Sequence, residues 1–487
     1  MSIWPAGEED AVLHGFSIRF LDKMWQDVIM KMNNKRRKTN MNFTFPKDFL
    51  FGAASSACQI EAGCKEGGKG EDVGEHFYTV FPEKYFGGDP AKAADFYHLY
   101  RKDILDMKEL GLKSFRFSIS WSRIFPNGPV EVCQAGIDYY DDMINALVEA
   151  NIVPFFDLWH CDLPYWVIEM GGVLNPEFID WFGTYAKVCF EKFGDRVQYW
   201  STINEPSINI MASYAYGANA PFMEDMTAAL QACHNGILAH FKAVKIYKEM
   251  NLPGKIGAVI HVEPTYSESH DPKDQLAAER RAAFYSGWWL DPMLKGHYPE
   301  ILKDSEYIMS KLPANYQKEL DDNFIDSDFM GVNFYNPNHT RHSDTEDMGY
   351  KNYTNEFMPV DDYGFMYYPQ GLFDVAMYFK NTYPGKRIYI TENGIGKRKW
   401  GNFEEERHDE YRVRYMREHL REVNRAIQAG ADIGGYFCWS IMDTNEGYAG
   451  GYRFIFGLVQ VNFETKERFR RDSWYYYQKV IADGMVD

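Results

Sequence analysis

Eight short apolar runs alternate with longer amphipathic stretches along most of this chain, and that alternation restricts the fold more than any other feature. The runs are Leu50–Gln59, Ser114–Ser120, Ile152–His160, Val197–Glu205, Lys255–Glu263, Phe329–Tyr335, Arg387–Glu392 and Gly434–Ser440. Each has the length and the apolar, β-prone character of a strand. Between them lie helical patterns, among them Ala91–Leu110, Ile137–Ala150, Pro176–Phe193, Ala228–Met250 and Glu404–Ala429. Gly111 and Gly430 follow the first and last of these, where a helix is expected to stop. Eight strand–helix units predict an α/β fold, a closed parallel (β/α)8 or TIM barrel, rather than an open doubly wound sheet. A single domain with loop insertions accommodates the 487 residues. Gly52-Ala-Ala-Ser-Ser-Ala57 after the first strand is rich in small residues but lacks the Gly-x-Gly-x-x-Gly spacing of a dinucleotide site.

In such a barrel the active site lies at the C-terminal ends of the strands. The residues expected there are Gln59 and Glu61, Arg116 and Trp121, His160 and Asp162, Asn204 and Glu205, His261 and Glu263, Asn333 and Tyr335, Glu392, and Trp439. Two of the runs close on a glutamate. Tyr199-Trp-Ser-Thr-Ile-Asn-Glu-Pro206 ends on Glu205, and Pro206, unable to donate to a ladder, stops the strand there. Arg387-Ile-Tyr-Ile-Thr-Glu-Asn-Gly394 ends on Glu392 before a breaking glycine. A carboxylate at such a tip is partly desolvated, which disfavours its charged form. One such run alone reads as a solvated strand end; two in one barrel suggest paired carboxylates in one cavity. His160-Cys161-Asp162 comes nearest to a metal-binding pattern but offers no evident third ligand, so neither a metal nor a cofactor is expected.

Composition narrows the partners. With 12 Trp, 34 Tyr and 35 Phe, the chain has aromatic surface for flat walls against sugar faces and aglycones as well as for a core. A formal charge of −18 argues against nucleic acid, anionic membrane or a highly anionic polymer as the main partner. The seven cysteines are scattered, with no C-x-x-C pair, which fits a reducing compartment. No run approaches the roughly 18 apolar residues of a membrane span and no secretory pattern opens the chain, so a cytoplasmic location is expected. Residues 1–40 differ from the rest. A rough helical pattern over Phe16–Met30 is followed by Lys35-Arg-Arg-Lys38, read as a solvated charge run rather than a nucleic-acid tail. They are expected to form an appendage before a catalytic domain spanning 41–487.

Seven motifs in order give this chain a recognisable relative. They are Phe51-Gly-Ala-Ala-Ser-Ser, Phe115-Arg-Phe-Ser-Ile-Ser-Trp-Ser-Arg-Ile, Trp159-His-Cys-Asp-Leu-Pro, Thr202-Ile-Asn-Glu-Pro, Gly331-Val-Asn-Phe-Tyr, Ile390-Thr-Glu-Asn-Gly and Phe456-Gly-Leu-Val. Over roughly residues 42–480 the chain resembles family 1 glycoside hydrolases, the β-glucosidase and 6-phospho-β-glucosidase group. The resemblance implies a retaining, exo-acting β-glycosidase that forms a covalent glycosyl-enzyme intermediate on Glu392, with Glu205 as acid/base. It implies a positive charge from Arg116 and a hydrogen bond from Tyr335 beside Glu392, and Asn204 reaching the sugar 2-hydroxyl. Gln59 and His160 match the positions that hold the 3- and 4-hydroxyls, Trp439 the residue beneath the ring, and Glu446 the residue that takes the 4- and 6-hydroxyls. The implied partner is a small β-glycoside or oligosaccharide, with a homo-oligomer compatible.

Several positions depart from the family pattern. Cys161 and Gly447 stand where tryptophans are usual, Gly74 where one is common, and Ala62-Gly63 reverses the usual Gly-Ala order. A roomier glycone site that accepts a substituted or larger sugar is therefore expected, unless Tyr448, Tyr165 and Trp166 refill the space. In the 6-phospho branch the position of Glu446 is usually serine with a nearby lysine. Glu446 repels a phosphate dianion, although Arg453 keeps that alternative open. A transglycosidase shares every catalytic residue. A non-catalytic sugar-binding protein on the same fold is disfavoured by the presence of both glutamates.

Overall fold

The computed structural model describes residues 43–399 and 402–487; the appendage expected over residues 1–40 lies outside them. Eight strands form the barrel: β1 (Leu50–Ala54), β2 (Ser114–Ser118), β3 (Val153–Trp159), β4 (Tyr199–Asn204), β5 (Lys255–His261), β6 (Phe329–Asn333), β7 (Ile388–Asn393) and β8 (Ile433–Trp439). All neighbouring pairs are parallel, and β1 closes the ring by pairing with β2 on one side and β8 on the other. The helices that follow them in turn include α1 (Phe96–Leu110), α2 (Gln134–Glu149), α3 (Phe178–Phe193), α4 (Met226–Glu249), α5 (Pro272–Ala282), α6 (Gln370–Thr382), α7 (Glu410–Gln428) and α8 (Asp472–Asp483). Gly111 ends α1 in the left-handed conformation at φ 83° and returns its N–H to the carbonyls of Met107 and Lys108, the stop expected of it. No helix among the described residues is long and apolar enough to cross a membrane.

Aromatic side chains plug the interior of the barrel. Phe155, Phe329, Tyr389 and Phe437 are buried, with edge-on ring contacts such as Phe155 to Phe437 at 5.4 Å and Phe155 to Phe329 at 5.5 Å. Full burial of each such ring is worth about 1.5–3 kcal/mol. Gly52 on β1 makes room for this plug, because a Cβ there would stand 2.3 Å from the Phe437 ring. With the barrel interior filled, polar side chains collect at the C-terminal mouth.

One strand differs from expectation. β1 ends at Ala54, whereas the apolar run continues to Gln59. The Ala57 N–H donates to Ser118 Oγ at 2.8 Å, which diverts the chain into a short helix, Ala57–Ile60. Gln59 therefore sits on that helical turn rather than at a strand tip.

On the neighbouring strand, the loop after β8 is anchored by a buried ion pair. Arg471 donates to both carboxylate oxygens of Asp443 at 2.8 Å and to the carbonyls of Glu406 and Gly457. Both side chains are fully buried.

Candidate active site

The ends of β2, β3, β4, β6 and β7 bring one connected polar network together. Arg116 on β2 is fully buried and makes four kinds of contact. It donates to Glu392 Oε1 at 2.6 Å, to Asn204 Oδ1 at 2.7 Å and to the Thr391 carbonyl at 3.4 Å, and it pairs with Asp157 at 2.6 Å. Burial works against its charge, but Asp157 and Glu392 outweigh that and its pKa stands above the ordinary value. The Tyr335 hydroxyl donates to Glu392 Oε2 at 2.6 Å. Burial, then the charge of Glu392, pushes the phenol pKa well up, so Tyr335 keeps its proton and acts as a donor. Glu392 thus has both oxygens fixed.

Glu205 is held differently. It caps the helix Pro206–Tyr214 in the left-handed conformation, φ 44° and ψ 53°, with Pro206 at the first helical position. Its N–H still donates to the Val259 carbonyl of β5 at 2.9 Å, so the chain turns only after the last ladder bond. A non-glycine residue at positive φ carries strain, and such strain gathers at functional sites. The side chain accepts one bond, from Asn333 Nδ2 at 2.8 Å. Asn333 also donates to Asn204 Oδ1 at 3.0 Å, and so joins the two glutamates through Asn204 and Arg116. Burial first, and the charge of Glu392 second, raises the pKa of Glu205. The two carboxylates therefore occupy unlike environments, one clamped by a cation and a phenol, the other left proton-loving.

Other expected residues surround this pair. His160 bonds to Asp157 through Nδ1 at 3.3 Å, and its Nε2 lies 3.4 Å from Asn204 Nδ2. Its ring is parallel to that of Trp439 at 5.7 Å and 8°. Gln59 accepts from Ser56 and donates to Glu446 Oε1 at 3.5 Å, while Thr444 donates to the same oxygen at 2.5 Å. Burial, opposed by the Thr444 bond and reinforced by Glu392 and Glu205, pushes Glu446 up to about 7. His261 faces Tyr335 edge-on at 6.0 Å and bonds to Tyr285 at 2.9 Å.

Some strand-end residues take structural places instead. Glu61 accepts from Arg123 and Tyr140 at 2.7 and 2.8 Å, a satisfied buried pair. Glu263 is bound by Arg281, and Trp121 stacks on Tyr185 at 4.8 Å within the helical layer. Sequence reasoning placed Asn333 at the mouth without a specific role and did not single out Asp157. Asp157 is legible in hindsight as the lone acid inside Val153-Pro-Phe-Phe-Asp-Leu-Trp159, a run that otherwise has no charge. Asn333 was expected at the end of β6, but its bonds to Asn204 and Glu205 depend on how β4 and β6 converge at the mouth on either side of β5.

The missing indoles are replaced unevenly. A Cβ on Gly447 would meet the Tyr85 ring at 3.5 Å, and one on Gly74 would lie 4.0 Å from the Tyr85 hydroxyl. Buried Tyr85 therefore occupies the space beside both glycines. Of the three side chains expected to refill that space, Tyr165 and Trp166 do not. Tyr165 stacks on His76 at 3.6 Å, and Trp166 donates to the Phe125 carbonyl at 2.9 Å; the side chain of Tyr448 lies outside the described residues. Beside Cys161 a cavity of about 20 Å³ remains, lined in part by Trp159, Asn209 and Tyr214, with room for about one water. On the side facing Gln59, Cys58 Sγ, Cys161 Sγ and a carboxylate oxygen of Asp162 lie within 4.8 Å of one another. Cys58 is thus the third group that the spacing of His160-Cys161-Asp162 does not offer, and His160 is not part of the cluster.

Comparison with known proteins fits this geometry. The pattern of glycosyl hydrolase family 1 matches residues 41–485. Beta-glucosidase A of Acetivibrio thermocellus is 37% identical over 446 residues, which span 91% of this chain and 99% of that protein. The 6-phospho-beta-glucosidase GmuD of Bacillus subtilis is 34% identical, over 90% of this chain and 97% of that one. The family 1 b-glucosidase from Thermotoga maritima superposes with a TM-score of 0.87 at 33% identity, covering 91% of this chain and 100% of its own. A structure of that enzyme's complex with deoxynojirimycin gives the same TM-score. The chain belongs to glycosyl hydrolase family 1, enzymes that hydrolyse O-glycosyl bonds.

Proposed function

We propose that this chain is a retaining, exo-acting β-glycosidase in which Glu392 is the nucleophile and Glu205 the acid/base. The observation that carries this reading is the unlike setting of the two carboxylates. Arg116 and Tyr335 grip Glu392, whereas Glu205 has its pKa raised by burial and by the charge of Glu392. Environments that push two titratable groups apart assign the acid and the base. Glu392 attacks the anomeric carbon as Glu205 protonates the departing glycosidic oxygen. Forming the ester removes the Glu392 charge, so one cause of the raised Glu205 pKa disappears and Glu205 can then deprotonate the incoming water. Retention requires carboxyl groups about 5 Å apart.

Asn204 reaches the sugar 2-hydroxyl through Nδ2, since its Oδ1 already accepts from Arg116 and Asn333. Gln59 and His160 hold the 3- and 4-hydroxyls, Trp439 lies beneath the ring, and Glu446 takes the 4- and 6-hydroxyls. Cys161 next to His160, where an indole is usual, supports a glycone wall altered from that of plain β-glucosidases. A 6-phospho-β-glucosidase is less well supported. Glu446 adds a third acid to the site, and the Arg453 guanidinium lies over the Phe86 ring at 3.6 Å. Water rather than a second sugar resolves the intermediate in this reading, and the substrate is a small β-glycoside or oligosaccharide. Residues 41–487 form the catalytic unit, and the scattered free cysteines favour a cytoplasmic setting.

Two variants test the roles. Glu392→Ala loses activity and regains it only with azide or formate, giving an inverted product. Glu205→Ala retains turnover of substrates whose leaving groups need little protonation. Equal loss by Glu205→Ala on activated and unactivated glycosides would show that another group is the acid.

A further inference from the structure

Two cysteines meet at the wall of the glycone pocket. Cys58 precedes Gln59 on the short helix Ala57–Ile60, and Cys161 follows His160 at the end of β3. Their sulfur atoms are 2.7 Å apart although 103 positions separate them in the chain. Non-bonded heavy atoms come to rest at roughly 3.5–4 Å, and a disulfide spans about 2.05 Å. Two thiolates on one tetrahedral zinc, each about 2.3 Å from it, would stand roughly 3.8 Å apart. The approach therefore fits a sulfur–sulfur bond better than a shared ion. Asp162 supplies a second observation: it is 5% exposed, and its Oδ2 is buried without a hydrogen-bond partner. One of its carboxylate oxygens lies within 4.8 Å of both sulfurs.

We propose that Cys58 and Cys161 are an oxidisable pair whose disulfide clamps together the two loops that present Gln59 and His160, and so sets the affinity for the sugar. The effect on affinity rests on the glycone roles proposed above for Gln59 and His160; the bond itself does not. A hydroperoxide is the oxidant. One thiol gives its proton to Asp162, and the thiolate attacks the peroxide oxygen to form a sulfenic acid with release of water or an alcohol. The second sulfur then attacks the sulfenyl sulfur, forming the S–S bond and expelling water. The pair loses two electrons and two protons, and the peroxide is reduced by two electrons. A low-molecular-weight dithiol reverses the change, being oxidised to its own disulfide as both protein thiols return.

The test treats the full chain with hydrogen peroxide, blocks remaining thiols under denaturing conditions and maps peptides without reduction. The expected result is a peptide joining Cys58 to Cys161, with two fewer alkylated thiols than the seven of the untreated chain. The oxidised form is expected to show a KM for nitrophenyl β-glucoside several-fold below that of the dithiol-treated form, with kcat little changed. Cys58→Ser and Cys161→Ser abolish that difference. The proposal is overturned if Cys58 and Cys161 stay as alkylatable as the other five after peroxide. It is overturned too if the bond forms and KM does not move, or if the purified chain carries one equivalent of zinc that a chelator removes as the two thiols become reactive. The peptide map reads the bond whether or not a glycoside is turned over, so failure here and failure of the glycosidase reading are separable.

Discussion

Replacing Tyr335 by Phe removes one hydroxyl and almost nothing else. The ring stays stacked on Phe365 at 5.1 Å, and its edge contact with His261 is unaffected. What disappears is the 2.6 Å bond from the phenol to Glu392 Oε2. A buried hydrogen bond to a charged partner contributes about 1.5–3 kcal/mol. If that bond positions the nucleophile, the same amount is lost from the transition state, equivalent to a fall in kcat/KM of about 10- to 150-fold. Stability should fall by no more than that amount, and at about 2.1 cal/mol/K of unfolding entropy per residue this lowers Tm by only about 2–3 °C in a chain of this length. The assay is kcat/KM on a nitrophenyl β-glucoside at the pH optimum, with Tm by scanning calorimetry at one scan rate. Activity within threefold of wild type, or a loss matched by a large drop in Tm, would refute the argument that Tyr335 acts through Glu392.

Three further outcomes follow from the structure. Glu446, pushed up to about 7, is neutral below that pH and charged above it. The charged form accepts stronger hydrogen bonds from sugar hydroxyls, so KM should fall as pH rises through about 7, and Glu446→Gln should remove that dependence. Because its folded pKa is raised, its contribution to stability is present below the ordinary value of 4.5 and lost as pH rises through about 7, so Tm of wild type relative to Glu446→Gln should decline over that window. Arg471→Met leaves Asp443 buried and unpaired, a loss of about 3–5 kcal/mol that Tm and denaturant titration would register; adding Asp443→Asn should recover part of it. Ala62 sits at φ 58°, where an L-residue is strained, so Ala62→Gly should stabilise the chain by about 0.5–1 kcal/mol, read as a higher Tm.

The barrel was legible because its strands are buried on both sides and so appear as continuous apolar runs, whatever their neighbours. The end of β1 was not legible, since the apolar run outlasts the strand and only the Ser118 hydroxyl, on another strand, turns the chain at Ala57. Glu205 and Glu392 could be picked out as acids that end apolar runs. Their different settings could not, because those depend on Arg116 of β2 converging with Asn333 and Tyr335 at the end of β6. Tyr85 replaces indoles missing at Gly74 and Gly447, and Cys58 reaches Cys161. Both are contacts between loops, which no local periodicity records.

The most direct test of the account is to label the chain with a 2-deoxy-2-fluoro-β-glucoside bearing a dinitrophenyl leaving group. The fluorine slows both steps, and the good leaving group lets the first outrun the second, so a glycosyl-enzyme accumulates. Peptide mapping by mass spectrometry should find one sugar, attached to Glu392. No adduct together with undiminished turnover of ordinary glycosides, or an adduct on Glu205 or any other side chain, would contradict it.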